Sequence, residues 1–119
     1  MERIRFISYR GKQILLVDVA HCSALETEET LRTAPDCVTT QPPGSVLLLA
    51  DFTGASVDED ATRTMQQTAV FNKPYIKKSA WIGTAGLPAS LQETVGEFSR
   101  REFHVFKSKT EALDWLTEE

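Results

Sequence analysis

Short apolar runs alternate with helix-capping motifs along the chain, and this alternation restricts the possible folds more than any other feature. Two strand-like runs, residues 3–9 and 13–19, meet at a short glycine-containing turn and predict a β-hairpin with 3–9 as an edge strand. The most apolar run, residues 45–51, is typical of a central strand buried on both faces. Further strands are predicted at 76–83 and 103–106.

Helices are predicted between these strands from S-x-x-E capping boxes, in which a serine and a glutamate satisfy the first backbone N–H groups of a helix. Such boxes begin at Ser23, Ser56 and Ser108. The first helix is expected to end, kink or restart at Pro35, and the second to end near Asn72. A third helix is predicted from the spacing of Leu91, Val95 and Phe98.

The order of the predicted elements, ββαβαβαβα, defines the expected fold class. Strands and helices that alternate in this way favour parallel strands joined by right-handed crossovers. We therefore expect an α/β fold with a mostly parallel, mixed five-stranded sheet, an antiparallel edge strand and packed helices. The large aromatic residues Trp81, Trp115, Phe98 and Phe106 are expected to be buried in its core. The 119 residues are expected to form a single domain spanning 1–119.

The charge balance limits the classes of partner. A formal net charge of −4 leaves no general field that would attract nucleic acid or anionic lipid, so neither is expected. Two short basic groups, Lys73 with Lys77 and Lys78 and Arg100 with Arg101, are interpreted as solvated surface charges or complements to helix C-termini.

The cysteine content and the lengths of the apolar runs indicate the compartment. Cys22 and Cys37 are too few to form the disulfide framework of a small secreted domain, and we expect them to be reduced. No apolar run approaches the length of a membrane span, and no signal-peptide pattern opens the chain. These features predict a cytoplasmic protein, and nothing in the sequence predicts a cofactor.

Polar residues and glycines follow each predicted parallel strand, at the sheet edge where open α/β folds usually bind ligands. The candidates are Asp18, His21 and Cys22 after the second strand, Asp51, Thr53, Gly54, Ser56 and Asp58 after the third, Gly83, Thr84 and Gly86 after the fourth, and Lys107 and Ser108 after the fifth. We expect a ligand or a protein partner to bind at this edge.

Each of these candidates also has a purely structural interpretation. Asp18 and Asp51 could act as paired carboxylates in acid–base chemistry, but aspartates at strand ends more often accept N–H bonds from their own loops. His21 and Cys22 could ligate a metal or form a nucleophile–base pair, yet adjacent side chains tend to point apart and no third ligand lies at metal-site spacing. No metal site is therefore predicted. The turn from Gly83 to Gly86 suits a phosphate cradle but matches no phosphate-binding motif.

Five segments of the chain together carry a family resemblance. They are Tyr9-Arg10-Gly11-Lys12, Gln41-Pro42-Pro43-Gly44-Ser45-Val46-Leu47, Asp51-Phe52-Thr53-Gly54-Ala55, Asn72-Lys73-Pro74-Tyr75-Ile76-Lys77-Lys78-Ser79-Ala80 and Glu111-Ala112-Leu113-Asp114-Trp115-Leu116. In these segments the chain resembles small bacterial proteins described as STAS and CRAL-TRIO-like, related to lipid transfer, which have the SpoIIAA-like fold. The resemblance implies a mixed sheet with helices packed on it. It implies little about function, because many members are uncharacterised.

The better-known relatives are anti-sigma-factor antagonists, in which a strand ending in an Asp-Leu-Ser-Gly-like turn leads to a D-S-S-G motif with a phosphorylated serine. Asp51-Phe52-Thr53-Gly54 resembles the turn, whereas Asp58-Glu59-Asp60-Ala61-Thr62 stands where the phosphorylated serine is expected. The resemblance therefore does not bring the kinase-controlled switch to this chain. Ser56 and Thr62 remain candidates for modification near a helix N-terminus.

Three functions follow from these observations. The leading hypothesis is a non-catalytic regulatory or protein-interaction module that meets a partner at the N-terminus of the second helix and its flanking loops. The alternative is a carrier or sensor of a lipid or other small amphipathic ligand. The third, an enzyme using Asp51, Thr53 and His21, rests on residue types alone. The edge strand allows either a monomer or a homodimer, since it could face water or pair with a second copy.

Overall fold

The computed structural model describes residues 2–118, which form a mixed sheet with helices on both of its faces. The strands are β1 (Ile4–Tyr9), β2 (Lys12–Asp18), β3 (Val46–Asp51), β4 (Ile76–Ile82) and β5 (His104–Phe106). The helices are α1 (Ala24–Val38), α2 (Glu59–Asn72), α3 (Leu91–Ser99) and α4 (Lys109–Thr117), with single 3₁₀ turns at Lys73–Tyr75 and Thr84–Gly86. This order confirms the predicted ββαβαβαβα arrangement. None of the helices in residues 2–118 is long and apolar enough to cross a membrane.

The sheet has the strand order β1-β2-β3-β4-β5, in which β1 is antiparallel to β2 and every other neighbouring pair is parallel. Arg10 and Gly11 join β1 to β2 with positive φ angles of 52° and 77°, as a two-residue type I′ hairpin turn requires. The five apolar residues at the start of β3 are all buried, which confirms its prediction as the central strand.

Two apolar layers enclose the sheet. Because β2 to β5 are added in one direction, right-handed crossovers place α1, α2 and α3 on the same face. That layer includes Leu15, Val17, Leu48, Ala50 and Trp81 of the sheet, with Leu31, Met65 and Val95 of the helices. The other face is covered by α4, which follows the last strand. Its layer includes Ile14, Leu16, Leu49 and Ile82 of the sheet, with Ala112, Leu113 and Leu116 of the helix.

The first helix passes through Pro35 and ends only at Val38, so the prediction that it ends or restarts at this proline is wrong. Proline removes one backbone donor, but the Pro35 carbonyl still accepts the N–H of Thr39 at 3.0 Å and its hydroxyl at 2.8 Å. Ala34 and Val38 are buried against the sheet on either side of the proline. Packing of the last turn therefore outweighs the lost hydrogen bond.

The start of α2 also differs from the prediction. Asp58, and not Ser56, is its N-cap, with the Asp58 carboxylate accepting the Ala61 N–H at 2.9 Å. Ser56 stays outside the helix because its backbone N–H donates to the Cys22 carbonyl of the neighbouring loop at 3.0 Å. Ser23 and Ser108 are confirmed as N-caps, and the reciprocal glutamate bond of a full capping box is present at Ser23.

Burial of the large aromatic residues is confirmed in full only for Trp81, which is 3% exposed and lies between the rings of Phe52 and Phe103. Trp115 and Phe106 are half-buried and contact each other. Phe98 is 56% exposed, so its predicted place in the core is wrong. The inner face of α3 is instead occupied by Leu91, Val95 and Ser99.

Candidate functional site

Three loops meet at the carboxyl ends of the parallel strands, where the candidate residues were expected to gather. We call this surface the loop edge and define it as residues 18–23, 51–58 and 83–86. Four backbone hydrogen bonds tie it together: Val19 N–H to Asp51 O at 3.0 Å, His21 N–H to Thr53 O at 2.8 Å, Ser56 N–H to Cys22 O at 3.0 Å and Phe52 N–H to Ile82 O at 3.0 Å. The loop edge is therefore one connected surface and not three independent loops.

Two glycines allow these loops to approach so closely. Gly54 has a φ of 66°, and a side chain there would collide with the ring of His21. Gly83 has a φ of 69°, and a side chain there would collide with the backbone of Thr53. Both the left-handed conformation and the lack of space favour glycine at each position. Gly83 thus permits contact with the backbone of Thr53, and Gly54 permits contact with the His21 ring. A part for either glycine in binding stays a prediction.

The two strand-end aspartates are register partners on β2 and β3. One carboxylate oxygen of Asp18 accepts the Ala20 N–H at 3.0 Å, and the other lies 3.8 Å from the guanidinium of Arg5. The Asp51 carboxylate accepts both the backbone N–H of Thr53 at 3.0 Å and its hydroxyl at 2.7 Å. Each carboxylate therefore holds the turn that follows its own strand, which is the structural alternative stated for both residues.

His21 and Cys22 lie in different environments although they are adjacent. His21 is exposed, has a φ of 59° and rests its ring on Gly54. Cys22 is 2% exposed, and burial raises the pKa of its thiol, which keeps it protonated near neutral pH. The two side chains do not form a nucleophile–base pair. Within residues 2–118, no group of three or more histidine, cysteine, aspartate or glutamate residues could hold a metal ion.

The glycine turn after β4 does not open a helix. Thr84–Gly86 forms a single 3₁₀ turn, and α3 begins only at Leu91. The N-cap of α3, Ser90, makes no capping hydrogen bond with its side chain. Four residues separate Gly86 from α3, so this turn lacks the strand-to-helix context that would suit a phosphate cradle.

The two candidates for modification differ in accessibility. Ser56 is exposed at the loop edge, two residues before the N-cap of α2. Thr62 is half-buried in the first turn of α2, and its hydroxyl donates to the Asp58 carbonyl at 2.9 Å. Ser56 is thus the more accessible of the two hydroxyls.

The structure brings together one cluster that sequence reasoning missed. A groove of about 300 Å³ lies at the opposite end of β4 from the loop edge. Its lining includes five cationic side chains, Lys73, Lys77, Lys78, Arg100 and Arg101, together with Glu102, His104 and Trp115. We call it the basic groove. The signal in the sequence was the pair of short basic groups, which parallel pairing of β4 and β5 places at the same end of the sheet.

Comparison with known proteins defines the fold class. No family model matches the chain, and no curated protein matches it. A solved structure does, with a TM-score of 0.71 and 20% sequence identity over 95% of this chain and 91% of the other. It is the structure of an uncharacterised protein of the DUF3478 family from Shewanella loihica PV-4, described as having a SpoIIAA-like fold. The chain described here therefore has a SpoIIAA-like α/β fold, as its sequence resemblance implied.

Proposed function

We propose that this chain is a non-catalytic regulatory or protein-interaction module that binds a protein partner at the loop edge. The observation that carries the proposal is the way the loops are fastened to one another. The carboxylates of Asp18, Asp51 and Asp58 are all engaged by backbone N–H groups of their own segments. A surface fixed in this way loses little conformational entropy on binding, which favours recognition of a partner.

The exposed groups at this surface indicate the partner's chemistry. Leu25, two residues beyond the loop edge in the first turn of α1, is 65% exposed and offers an apolar anchor. His21 and Ser56 are exposed polar groups of the loop edge. The first turn of α2, which directly follows the loop edge, is acidic through Glu59 and Asp60. These groups suit a partner that combines an apolar contact with a basic or polar rim.

The contacts at the loop edge give little support to an enzyme. The Thr53 hydroxyl donates to Asp51, and the same carboxylate holds the Thr53 backbone N–H, so both groups serve the turn. His21 rests on Gly54 with its ring. The residues named for the enzyme hypothesis therefore make the contacts of a loop turn.

A lipid carrier is the second candidate, and the size of the apolar cavity bears on it. The cavity lies between the sheet and α1 to α3, has a volume of about 50 Å³, and is lined by residues that include Met65, Trp81 and Phe103. Sites for drug-sized ligands occupy roughly 300–1,000 Å³. A lipid would enter only if the helices moved away from the sheet, so this function ranks behind protein binding.

The proposal is tested with the full chain as bait in extract of its own host. We expect a partner that is captured by the native protein and lost with Leu25→Lys. The matched control is Phe98→Lys, which puts the same charge on an apolar side chain of similar exposure at the far end of α3. Equal capture by both variants, or none by the native protein, would contradict the proposal. Native mass spectrometry of the same preparation addresses the alternative, because a reproducible small-molecule adduct would favour the carrier.

A further inference from the structure

The basic groove concentrates positive charge on a chain whose formal charge is −4. Five of the 13 lysines and arginines line it, and Glu102 is the carboxylate residue in its lining, which gives the lining a formal charge of +4. Surface charges of a small domain are usually of mixed sign. Such a concentration raises the local density of anions at the groove.

Short pairing between β4 and β5 creates the groove. Only Ala80, Trp81 and Ile82 of β4 pair with β5, so β5 does not cover residues 76–79. Lys78 lies on the face covered by α4, where it contacts the ring of Trp115, and Ser79 lies on the other face, where it accepts a hydrogen bond from Arg101. Lys77 is exposed at a register shift between β3 and β4. The groove thus wraps around the uncovered edge of β4, with basic groups on both of its sides.

Arg101 lines the groove with a partly buried side chain. Its guanidinium donates to the Ala69 carbonyl at 3.1 Å and to the Ser79 hydroxyl, and stacks 4.7 Å from the ring centre of Phe103. Burial is the cause that lowers the pKa of Arg101 to about 10, and no carboxylate of residues 2–118 forms an ion pair with it. A partly buried charge without a counter-charge costs stability, which points to a role for Arg101 other than stabilising the fold.

Arg100 reaches the groove through a backbone conformation that favours glycine. It follows α3 with φ 55° and ψ 39°, the left-handed C-terminal cap that glycine usually supplies. This turn directs the chain from α3 back towards the start of β4. An arginine at this position keeps a positive side chain at a conformational cost.

The wall opposite Arg101 is aromatic. The rings of His104 and Trp115 lie 4.5 Å apart, with His104 exposed. Lys78 stacks 4.9 Å from the ring centre of Trp115 and donates to the Trp115 carbonyl at 2.9 Å. Lys78 therefore serves partly as a complement to the C-terminus of α4, as the sequence predicted, while Lys73 and Lys77 stay exposed.

We propose that the basic groove binds a small phosphate monoester with a flat or apolar body. Two of the five N–H groups of Arg101 donate to Ala69 and Ser79, and its remaining N–H groups can donate to a phosphate oxygen. The ammonium groups of Lys73 and Lys77 favour a dianion over a single carboxylate. The His104–Trp115 wall provides a surface for the body of the ligand. A volume of about 300 Å³ matches the smaller sites known for organic ligands and is short for a nucleic-acid strand or a membrane surface.

The test uses phenyl phosphate as the probe and the full chain labelled with ¹⁵N, at about 150 mM salt so that weak surface attraction is screened. We expect saturable shifts of backbone amides in residues 76–79 and 100–104, and weaker binding of inorganic phosphate, which lacks the ring. Arg101→Met and Lys77→Met should each lower the affinity about tenfold or more, the size expected for a hydrogen bond to a charged group. Lys109→Met, which removes an exposed lysine outside the groove, should leave the affinity unchanged.

Several outcomes would overturn the proposal. They include no saturable shift up to about 10 mM phenyl phosphate, equal affinity in Lys77→Met and the native chain, and shifts that occur only with a single-stranded oligonucleotide or anionic vesicles. Benzoate binding as tightly as phenyl phosphate would overturn the assignment of a phosphate. Lys77 is exposed, so its variant provides the test even if Arg101→Met unfolds. Leu25→Lys should not change the affinity, which separates this result from that of the loop edge.

Discussion

The loop edge and the basic groove lie at opposite ends of β4, and the charged side chains of the two regions have different kinds of partner. At the loop edge, Asp51 and Asp58 accept N–H groups of their own segments. In the groove, Arg101 donates to the neutral acceptors Ala69 O and Ser79 Oγ, and no carboxylate of residues 2–118 pairs with it. The first arrangement stabilises the fold, whereas the second costs stability. This difference is one reason for proposing that the groove binds an anion.

A left-handed residue other than glycine marks each region. His21 takes this conformation at the loop edge with a φ of 59°, and Arg100 takes it beside the groove with a φ of 55°. Histidine is among the residues found there more often than average, and its ring also packs on Gly54. Arg100 is exposed, so packing does not explain it. The comparison predicts that substitutions at the loop edge destabilise the protein and that some in the groove do not.

The largest loss of stability is expected for Gly83→Ala. Alanine would have to adopt a left-handed φ, and its Cβ would collide with the backbone of Thr53. Strain of about 1–2 kcal/mol and an overpacking cost of similar size together give a loss of about 3 kcal/mol or more. Urea denaturation measures this change in the free energy of unfolding.

Gly86→Ala is the matched control for Gly83→Ala, because a Cβ on Gly86 meets open space. Its effect should stay within about 0.5 kcal/mol, as for most surface substitutions. Equal stability of the two variants would show that the loops are not fastened through Gly83.

A smaller loss, about 2 kcal/mol, is expected for Gly54→Ala. The left-handed φ imposes the same backbone strain, but the obstacle is the side chain of His21, which can rotate away. His21→Ala removes the obstacle, so in the double variant the steric part of the loss should disappear. A double-mutant cycle should therefore give a coupling energy of about 0.5–1 kcal/mol between the two positions. Strict additivity of the two substitutions would mean that the His21 ring does not rest on Gly54.

Local sequence patterns predicted the sheet and most helices because the signals they use act over a few residues. The serine caps at Ser23 and Ser108 and the apolar run of β3 are examples. The same patterns failed where a distant contact decides. Ser56 and Asp58 both offer a helix start, and the hydrogen bond from Ser56 to the loop at Cys22 selects Asp58.

The basic groove was missed for a related reason. Lys77 and Arg101 are far apart in the sequence, and each basic group alone has the composition of an ordinary surface. Parallel strands start at the same end of a sheet, so the proximity of Lys77 and Arg101 follows from the topology. The open edge at residues 76–79 depends on the short length of β5, which spans only His104–Phe106, and no local pattern specified that length.

The choice of N-cap gives the third prediction, with an expected loss of about 1 kcal/mol for Asp58→Ala. Asp58 caps the third N–H of α2, at Ala61, so its removal leaves that donor without a partner. Ser56→Ala should change the free energy of unfolding by only a few tenths of a kcal/mol, because Ser56 takes part through its backbone. A larger loss for Ser56→Ala than for Asp58→Ala would contradict the observed start of α2.

The smallest effect is expected in the opposite direction, for Arg100→Gly. Relief of the left-handed strain should stabilise the protein by about 1–2 kcal/mol. The greater freedom of glycine in the unfolded chain offsets about 0.5–1 kcal/mol of that gain. The free energy of unfolding should therefore rise slightly, by up to about 1 kcal/mol. Affinity for phenyl phosphate should fall in the same variant, because one of the five cationic side chains of the groove is removed.

Arg10→Gly is the control for this last prediction, because Arg10 has a similar φ of 52° in the hairpin turn. It relieves similar strain but removes an exposed ion pair with Asp114 at 3.2 Å, which contributes little. Its affinity for phenyl phosphate should equal that of the native chain. If Arg100→Gly instead lowers stability, or leaves the affinity for phenyl phosphate unchanged, then Arg100 is not retained for its charge. The contrast between the loop edge and the basic groove would then rest on Arg101 alone.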